Sequence, residues 1–230
     1  MKFALVMPCW PRTEERFRLA DQCFASLLQT TPIETTPLVI LLYKHSPYRY
    51  PLDALRQKFW LIAREQCHEG RWLEGVDQPM VYGSGLAFEY GADYVIHLGE
   101  DTLFHPRWLE ELTGLIRRHP DARAWSIYRS AHTAVHATLA EEGPDVLVRS
   151  INGNGITLSR EEWAAWGLYW TQGTAWNSAN GTTIDMHHLS NREGPRWVTR
   201  VSYIEHTGRS GAHAQPHIPE WAQEFQGAPP

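Results

Sequence analysis

Tyr94-Val-Ile-His-Leu-Gly-Glu-Asp-Thr-Leu-Phe104, followed by His105-Pro-Arg-Trp-Leu-Glu-Glu-Leu-Thr-Gly-Leu-Ile-Arg-Arg118, decides the fold. An apolar strand over Tyr94 to Leu98 runs into two adjacent carboxylates, Glu100 and Asp101, and then into an amphipathic helix. Trp108, Leu109, Leu112, Leu115 and Ile116 recur at helical spacing on one face, and Pro106 suits the first helical position. Glu110 and Glu111 in the first turns and Arg117, Arg118 and His119 in the last complement the helix dipole before Pro120 ends the element. Open α/β sheets bind ligands outside the carboxyl ends of their strands, and hard divalent cations take carboxylate oxygens while leaving positions for phosphates. Acids at a strand's carboxyl end therefore point to a metal-bound nucleotide.

Working outward, Lys2 to Met7 is an apolar strand that stops at the loop Pro8-Cys-Trp-Pro-Arg12. Thr13 caps a helix with Phe17, Ala20, Phe24, Leu27 and Leu28 on its inner face. Pro37 to Tyr43 is apolar on both faces, as strands of parallel sheets are. Asp53 is expected to cap a helix running through Cys67, and Tyr82 to Tyr90 to start another. Gly83-Ser-Gly85 lacks the dinucleotide fingerprint and reads as a turn before that helix. A strand is expected over Arg123 to Tyr128, a connection over Ser130 to Gly143, and strand-like sequence over Val146 to Leu158. Ser159-Arg-Glu-Glu162 is a capping box, and Thr171 to Arg196 is polar, glycine-rich and aperiodic. The tail beyond His213 has no core of its own and is expected to drape over the surface.

This alternation predicts an α/β fold, a doubly wound, mostly parallel sheet flanked by helices, with an irregular second half. With 230 residues, 43% of them hydrophobic, the chain can bury one sizeable core. A single domain is expected, with a nucleotide-binding half over 1–128, an acceptor-side half over 129–215 and a surface tail over 216–230. A net charge of -5 and a pI near 6.2 give no global positive field for nucleic acid or anionic lipid. No apolar run approaches a transmembrane segment, and the first residues lack a signal peptide's pattern, so a soluble cytoplasmic protein is expected. Cys9, Cys23 and Cys67 cannot all pair and lack metal-ligand spacing, so reduced thiols are the default.

Four stretches, in this order, resemble the GT-A class of nucleotide-sugar glycosyltransferases, and within it the inverting glycosyltransferase type 2 group. They are Met7 to Arg12, similar to the loop that contacts the nucleotide base; Tyr94 to Phe104, similar to the acidic metal motif; Ile151 to Arg160, similar to the strand and helix lining the acceptor side; and Ser202 to His213, similar to a late strand bearing a histidine ligand. The family's Asp-x-Asp stands here as Gly99-Glu100-Asp101, and the Glu-Asp pair before the acceptor helix as Thr183-Ile184-Asp185.

The resemblance implies transfer of a sugar from a nucleoside diphosphate donor, UDP first, to an acceptor hydroxyl on a glycan, lipid-linked sugar, protein or modified nucleobase, with Mn²⁺ or Mg²⁺. It implies Asp101 and His206 as metal ligands, Glu100 as nucleotide support, and Asp185 as the base that takes the acceptor proton. Pro8, Trp10 and Arg12 would cradle the nucleotide. Trp10 can stack on a base and Arg12 can pair with phosphate, although Trp10 equally suits a plug at the sheet edge. Trp163, Trp166, Trp170 and Trp176 fall on the acceptor side. His187 and His188 are adjacent and point apart in regular structure, and His213 and His217 sit in loop-like sequence rather than on the helix of a zinc protease. The alternatives are a nucleotidyltransferase, whose glycine- and lysine-rich phosphate loop is missing from Pro8 to Arg12, and a non-catalytic nucleotide- or carbohydrate-binding protein.

Overall fold

The computed structural model describes residues 1–32, 37–65, 74–129, 137–149, 151, 154–164, 194–207 and 225. Its frame is set by β1 (Phe3–Cys9), β2 (Leu38–Tyr43) and β4 (Tyr94–His97), with β1 pairing parallel to both neighbours. Alternate side chains of these strands enter two different cores. Phe3, Leu5, Met7, Val39, Leu41 and Ile96 pack on one face with Ala20, Cys23, Phe24 and Leu27 of α1 (Glu14–Thr30). Ala4, Val6, Ile40, Leu42 and Val95 pack on the other with Met80, Ala87 and Phe88 of α3 (Glu74–Glu89). The two-residue period of a strand divides one apolar run between two layers, which is why these segments are hydrophobic throughout.

The main sheet has nine strands in the order β3-β2-β1-β4-β9-β6-β10-β8-β7. The others are β3 (Trp60–Glu65), β6 (Ala124–Ser126), β7 (Thr138–Glu142), β8 (Asp145–Val148), β9 (Ile156–Ser159) and β10 (Arg196–Thr199). From the pairings, β9 and β8 run against the rest, so the sheet is mostly parallel, as expected. The helix α4 (Trp108–Arg118) buries the five predicted apolar residues, each worth roughly 1.5–3 kcal/mol of burial. A two-stranded sheet lies apart, with β5 (Thr102–Phe104) antiparallel to β11 (Ile204–His206). Among the described residues, no helix is long and apolar enough to cross a membrane.

Several expectations are corrected. The helix expected over Asp53 to Cys67 is the short α2 (Leu52–Lys58), and Trp60 to Glu65 forms the parallel edge strand β3 beside β2. A short apolar run such as Phe59 to Ala63 has no periodicity that separates strand from helix, and the open edge of β2 decides it. Asp53 does not cap α2; the cap is Pro51, and Asp53 pairs with Arg56 at 3.3 Å. The first strand continues through Pro8 and Cys9 to pair with Leu42 and Tyr43. Val146 to Leu158 holds two strands with different neighbours, and β7 lies inside the expected connection of 130–143. Gly83-Ser-Gly85 lies within α3 rather than in a turn before a helix. Ser159 does cap the next turn of chain, accepting from the Glu162 N–H at 3.3 Å.

Candidate functional site

The acidic turn grows directly out of β4 at its carboxyl end. The Leu98 N–H donates to the Val6 carbonyl at 3.1 Å, and then the chain leaves the sheet. Asn154 holds the turn in shape: its Oδ1 accepts from the Gly99 N–H and from Thr102 Oγ1, both at 3.2 Å. Beside it, the Gly155 N–H donates to the His97 carbonyl at 2.7 Å. Gly155 has φ +77°, and a Cβ there would fall 2.5 Å from Ile204 Cδ1, so only glycine fits between β4 and β11. At Gly99 a Cβ would lie 2.6 Å from Asp101 Oδ1, so the missing side chain gives the carboxylate its place.

Asp101 and Glu100 are buried, with polar partners drawn from distant elements. Arg16 of α1 donates Nη1 to Asp101 Oδ2 at 2.7 Å and Nη2 to Glu100 Oε1. His206 Nε2 lies 3.2 Å from the same Asp101 oxygen. Register explains this meeting: β11 pairs His206 with Thr102, and Thr207 donates its N–H and its hydroxyl to the Asp101 carbonyl, each at 2.8 Å. Burial alone would raise the Asp101 carboxyl, but His206 and then Arg16, by charge and hydrogen bond, hold it well below the usual carboxylate range. Glu100 moves the other way, pushed up by burial and by the charge of Asp101 against the pull of Arg16. The turn thus holds one firmly ionised acid and one resisting ionisation.

Under the turn, His97 is fully buried, and its Nε2 lies 2.8 Å from Ser84 Oγ. The single hydroxyl proton of Ser84 goes to the Met80 carbonyl at 2.7 Å, so His97 donates from Nε2. Burial pushes its pKa down to about 3, which keeps the ring neutral.

The first loop stands at the ends of β1 and β2. Trp10 carries two cations over its ring, Arg12 Cζ at 4.8 Å and Lys44 Nζ at 4.3 Å from the centroid. Lys44 is almost wholly buried, and its N–H donates to the Cys9 carbonyl at 3.1 Å, which ties the two strand ends together. Trp10 is therefore a platform already covered by cations, with Pro8 in the strand behind it. Burial and then the charge of Glu100 push the Cys9 thiol up, so the end of β1 shares one electrostatic environment with the acidic turn.

Asp101, Glu100, His206 and the Pro8 to Arg12 loop thus all belong to elements at the carboxyl ends of β1 and β4. Asp185, Trp166, Trp170, Trp176, His187, His188, His213 and His217 lie outside the described residues. Trp163 packs its ring on Phe88 at 5.4 Å and is a packing anchor. Sequence reasoning missed Arg16, Lys44, Asn154 and Thr207. Only Arg16 carried a signal, as a cation in the first turn of a helix. Among the described residues no group of three or more His, Cys, Asp or Glu side chains gathers as a metal centre. The pair Asp101 and His206 is nevertheless a donor set acceptable to Mn²⁺, and the guanidinium between the acids marks the spot as one that holds a cation.

No protein-family model matches the chain, and no curated protein matches it in sequence. Solved structures do match. TarS 1-349 of S. aureus is similar at a TM-score of 0.59 and 16% identity over 89% of this chain and 60% of that one. The same TarS piece in complex with UDP-GlcNAc matches at 0.59 and 15%, over 93% and 60%. GalNAc-T7 with UDP, GalNAc and Mn²⁺ matches at 0.61 and 12%, over 86% and 42%. The chain has the GT-A fold of these proteins and spans 60% or less of their length.

Proposed function

We propose that this chain is a glycosyltransferase that moves a sugar from a nucleoside diphosphate, UDP first, to an acceptor hydroxyl. The observation that carries this reading is the convergence of Asp101 and His206 at the carboxyl end of β4, in a fold whose similar structures are described with UDP, UDP-GlcNAc and, in one case, Mn²⁺. Asp101 and His206 would hold Mn²⁺ or Mg²⁺, which when bound would neutralise charge on the diphosphate leaving group.

The chain's own side chains supply the rest. Arg12 and Lys44 offer positive charge at the strand ends, and Trp10 offers a flat face once its cations turn to phosphate. Pro8 stiffens the strand end behind that loop. Glu100, which resists ionisation, suits a support that donates or accepts near the ribose. Asp185 is proposed as the base that takes the acceptor proton in an inverting transfer, on the sequence alone. Residues 1–128 would then form the donor half, 129–215 the acceptor half and 216–230 a surface tail. The free thiols Cys9 and Cys23 suit the reducing cytoplasm.

One observation favours a second reading, a nucleotide- or carbohydrate-binding protein without turnover: Arg16 already bridges both acids. Calorimetric titration with UDP, with and without Mn²⁺, tests the site, and UDP release from UDP-sugars tests turnover. Mn²⁺-strengthened UDP binding with sugar release supports the transferase. Binding without release supports the second reading, and absence of nucleotide binding in folded protein ends the transferase and leaves a carbohydrate-binding protein.

A further inference from the structure

Arg16 occupies the third helical position of α1, where Thr13 caps the helix by accepting from the Arg16 N–H at 3.3 Å. That position favours Glu or Gln, whose side chain returns to the cap, and a cation there faces the positive end of the helix dipole. Glu14 and Glu15 precede it, so the local sequence otherwise follows the rule. The guanidinium instead leaves the helix end for a carboxylate pair, Asp101 and Glu100, respectively 85 and 84 residues away. A local preference overridden by a distant contact marks a position set by function.

The contact also uses the atom that matters. Asp101 Oδ2 accepts from Arg16 and is the same oxygen that faces His206 Nε2. A divalent ion held between Asp101 and His206 would therefore share Oδ2 with this bridge, and the guanidinium charge beside it would oppose the ion. Guanidinium forks bind phosphate oxygens in pairs at least as readily as carboxylates, so a bound diphosphate offers Arg16 a second seat.

We propose that Arg16 is a resident counter-cation that competes with the divalent ion for the Asp101 carboxylate and is drawn off by the phosphates of a bound nucleoside diphosphate. This rests on the reading of Asp101 and His206 as metal ligands. The free chain then binds metal weakly, and the nucleotide opens the site to the ion rather than only bringing it along.

Mn²⁺ binding without nucleotide, read from the electron paramagnetic resonance signal of the free aquo ion, tests this without any turnover. Arg16→Gln removes the competing charge and is expected to bind Mn²⁺ about tenfold tighter than the unaltered protein, the size of effect that one adjacent charge has on an ionising group. UDP should then strengthen Mn²⁺ binding more in the unaltered protein than in Arg16→Gln. Arg16→Lys keeps a cation without the fork and should fall between the two, and it serves where Arg16→Gln fails to fold by circular dichroism. Equal Mn²⁺ affinity in all three, abolished by Asp101→Asn, overturns the competition and leaves the metal site standing. No Mn²⁺ binding in any of them, with UDP or without, overturns both.

Discussion

Asp101 and Asp145 are each bridged by one arginine and one histidine, and the two clusters are built in opposite ways. Asp145 on β8 is wholly buried and takes Arg118 through Nε at 2.6 Å and Nη2 at 2.8 Å, with His119 Nε2 at 2.9 Å. Both partners come from the end of one helix, where cations agree with the dipole, and the His119 ring stacks on Trp197 at 3.7 Å and 10°. That cluster is a closed seam joining α4 to β8 and β10. Asp101 draws its partners from α1 and β11, has a second carboxylate beside it, and sits at a strand's carboxyl end. Identical residue types become structural where one element supplies them with saturated geometry. Under the proposed function they become chemical where several elements bring charges that a ligand would rearrange.

The largest effect should come from breaking the seam. Asp145→Ala leaves a cation and a histidine without their buried acid and should cost about 3–5 kcal/mol in urea unfolding, while Mn²⁺-dependent UDP binding survives in the folded fraction. Loss of binding in folded Asp145→Ala would make the two clusters alike. Next, Gly155→Ala should cost roughly 1–3 kcal/mol, since it forces a side chain into a positive φ and against Ile204, and should weaken Mn²⁺ binding through His206. Asp101→Asn should remove the Mn²⁺ enhancement of UDP affinity, at least about 1.4 kcal/mol or tenfold by calorimetry, with a smaller fall in melting temperature than Asp145→Ala.

The last effect is nil at neutral pH and grows only on acidification. The folded His97 has a pKa near 3 against an ordinary 6.5, so between these values the unfolded chain binds the extra proton and stability falls as pH falls. The loss should reach at most about 1.4 kcal/mol per pH unit from this group, and His97→Gln should flatten it in a series of urea titrations.

How much was legible depends on where each signal resides. α4, the capped α1 and the acidic turn were readable because helix period, cap and strand end are local patterns, and Asp101 lies inside one of them. β3 was misread because Trp60 to Ala63 carries no decisive period and its fate depends on the open edge of β2. His206 was singled out through motif order, not through any property of a lone histidine, and the structure sets it beside Asp101. Arg16 was visible only as a breach of a local rule, since its partners are brought to it by the tertiary fold. Asn154 and Lys44 had no local mark, because two hydrogen bonds at a turn and one ring contact leave no pattern in a sequence.

The pairing of β11 with β5 also fixes an order of events. Thr207 and Asp101 are 106 residues apart, so during synthesis the acidic turn exists long before its histidine does. The early parallel strands can meet as soon as they are made, whereas this contact closes a long loop and waits on β6, β9 and β10. The meeting of His206 with Asp101 is therefore withheld until β11 has been made, and a nascent or half-folded molecule has an acidic turn without its histidine. The contact doubles as a record that the late strands are in place.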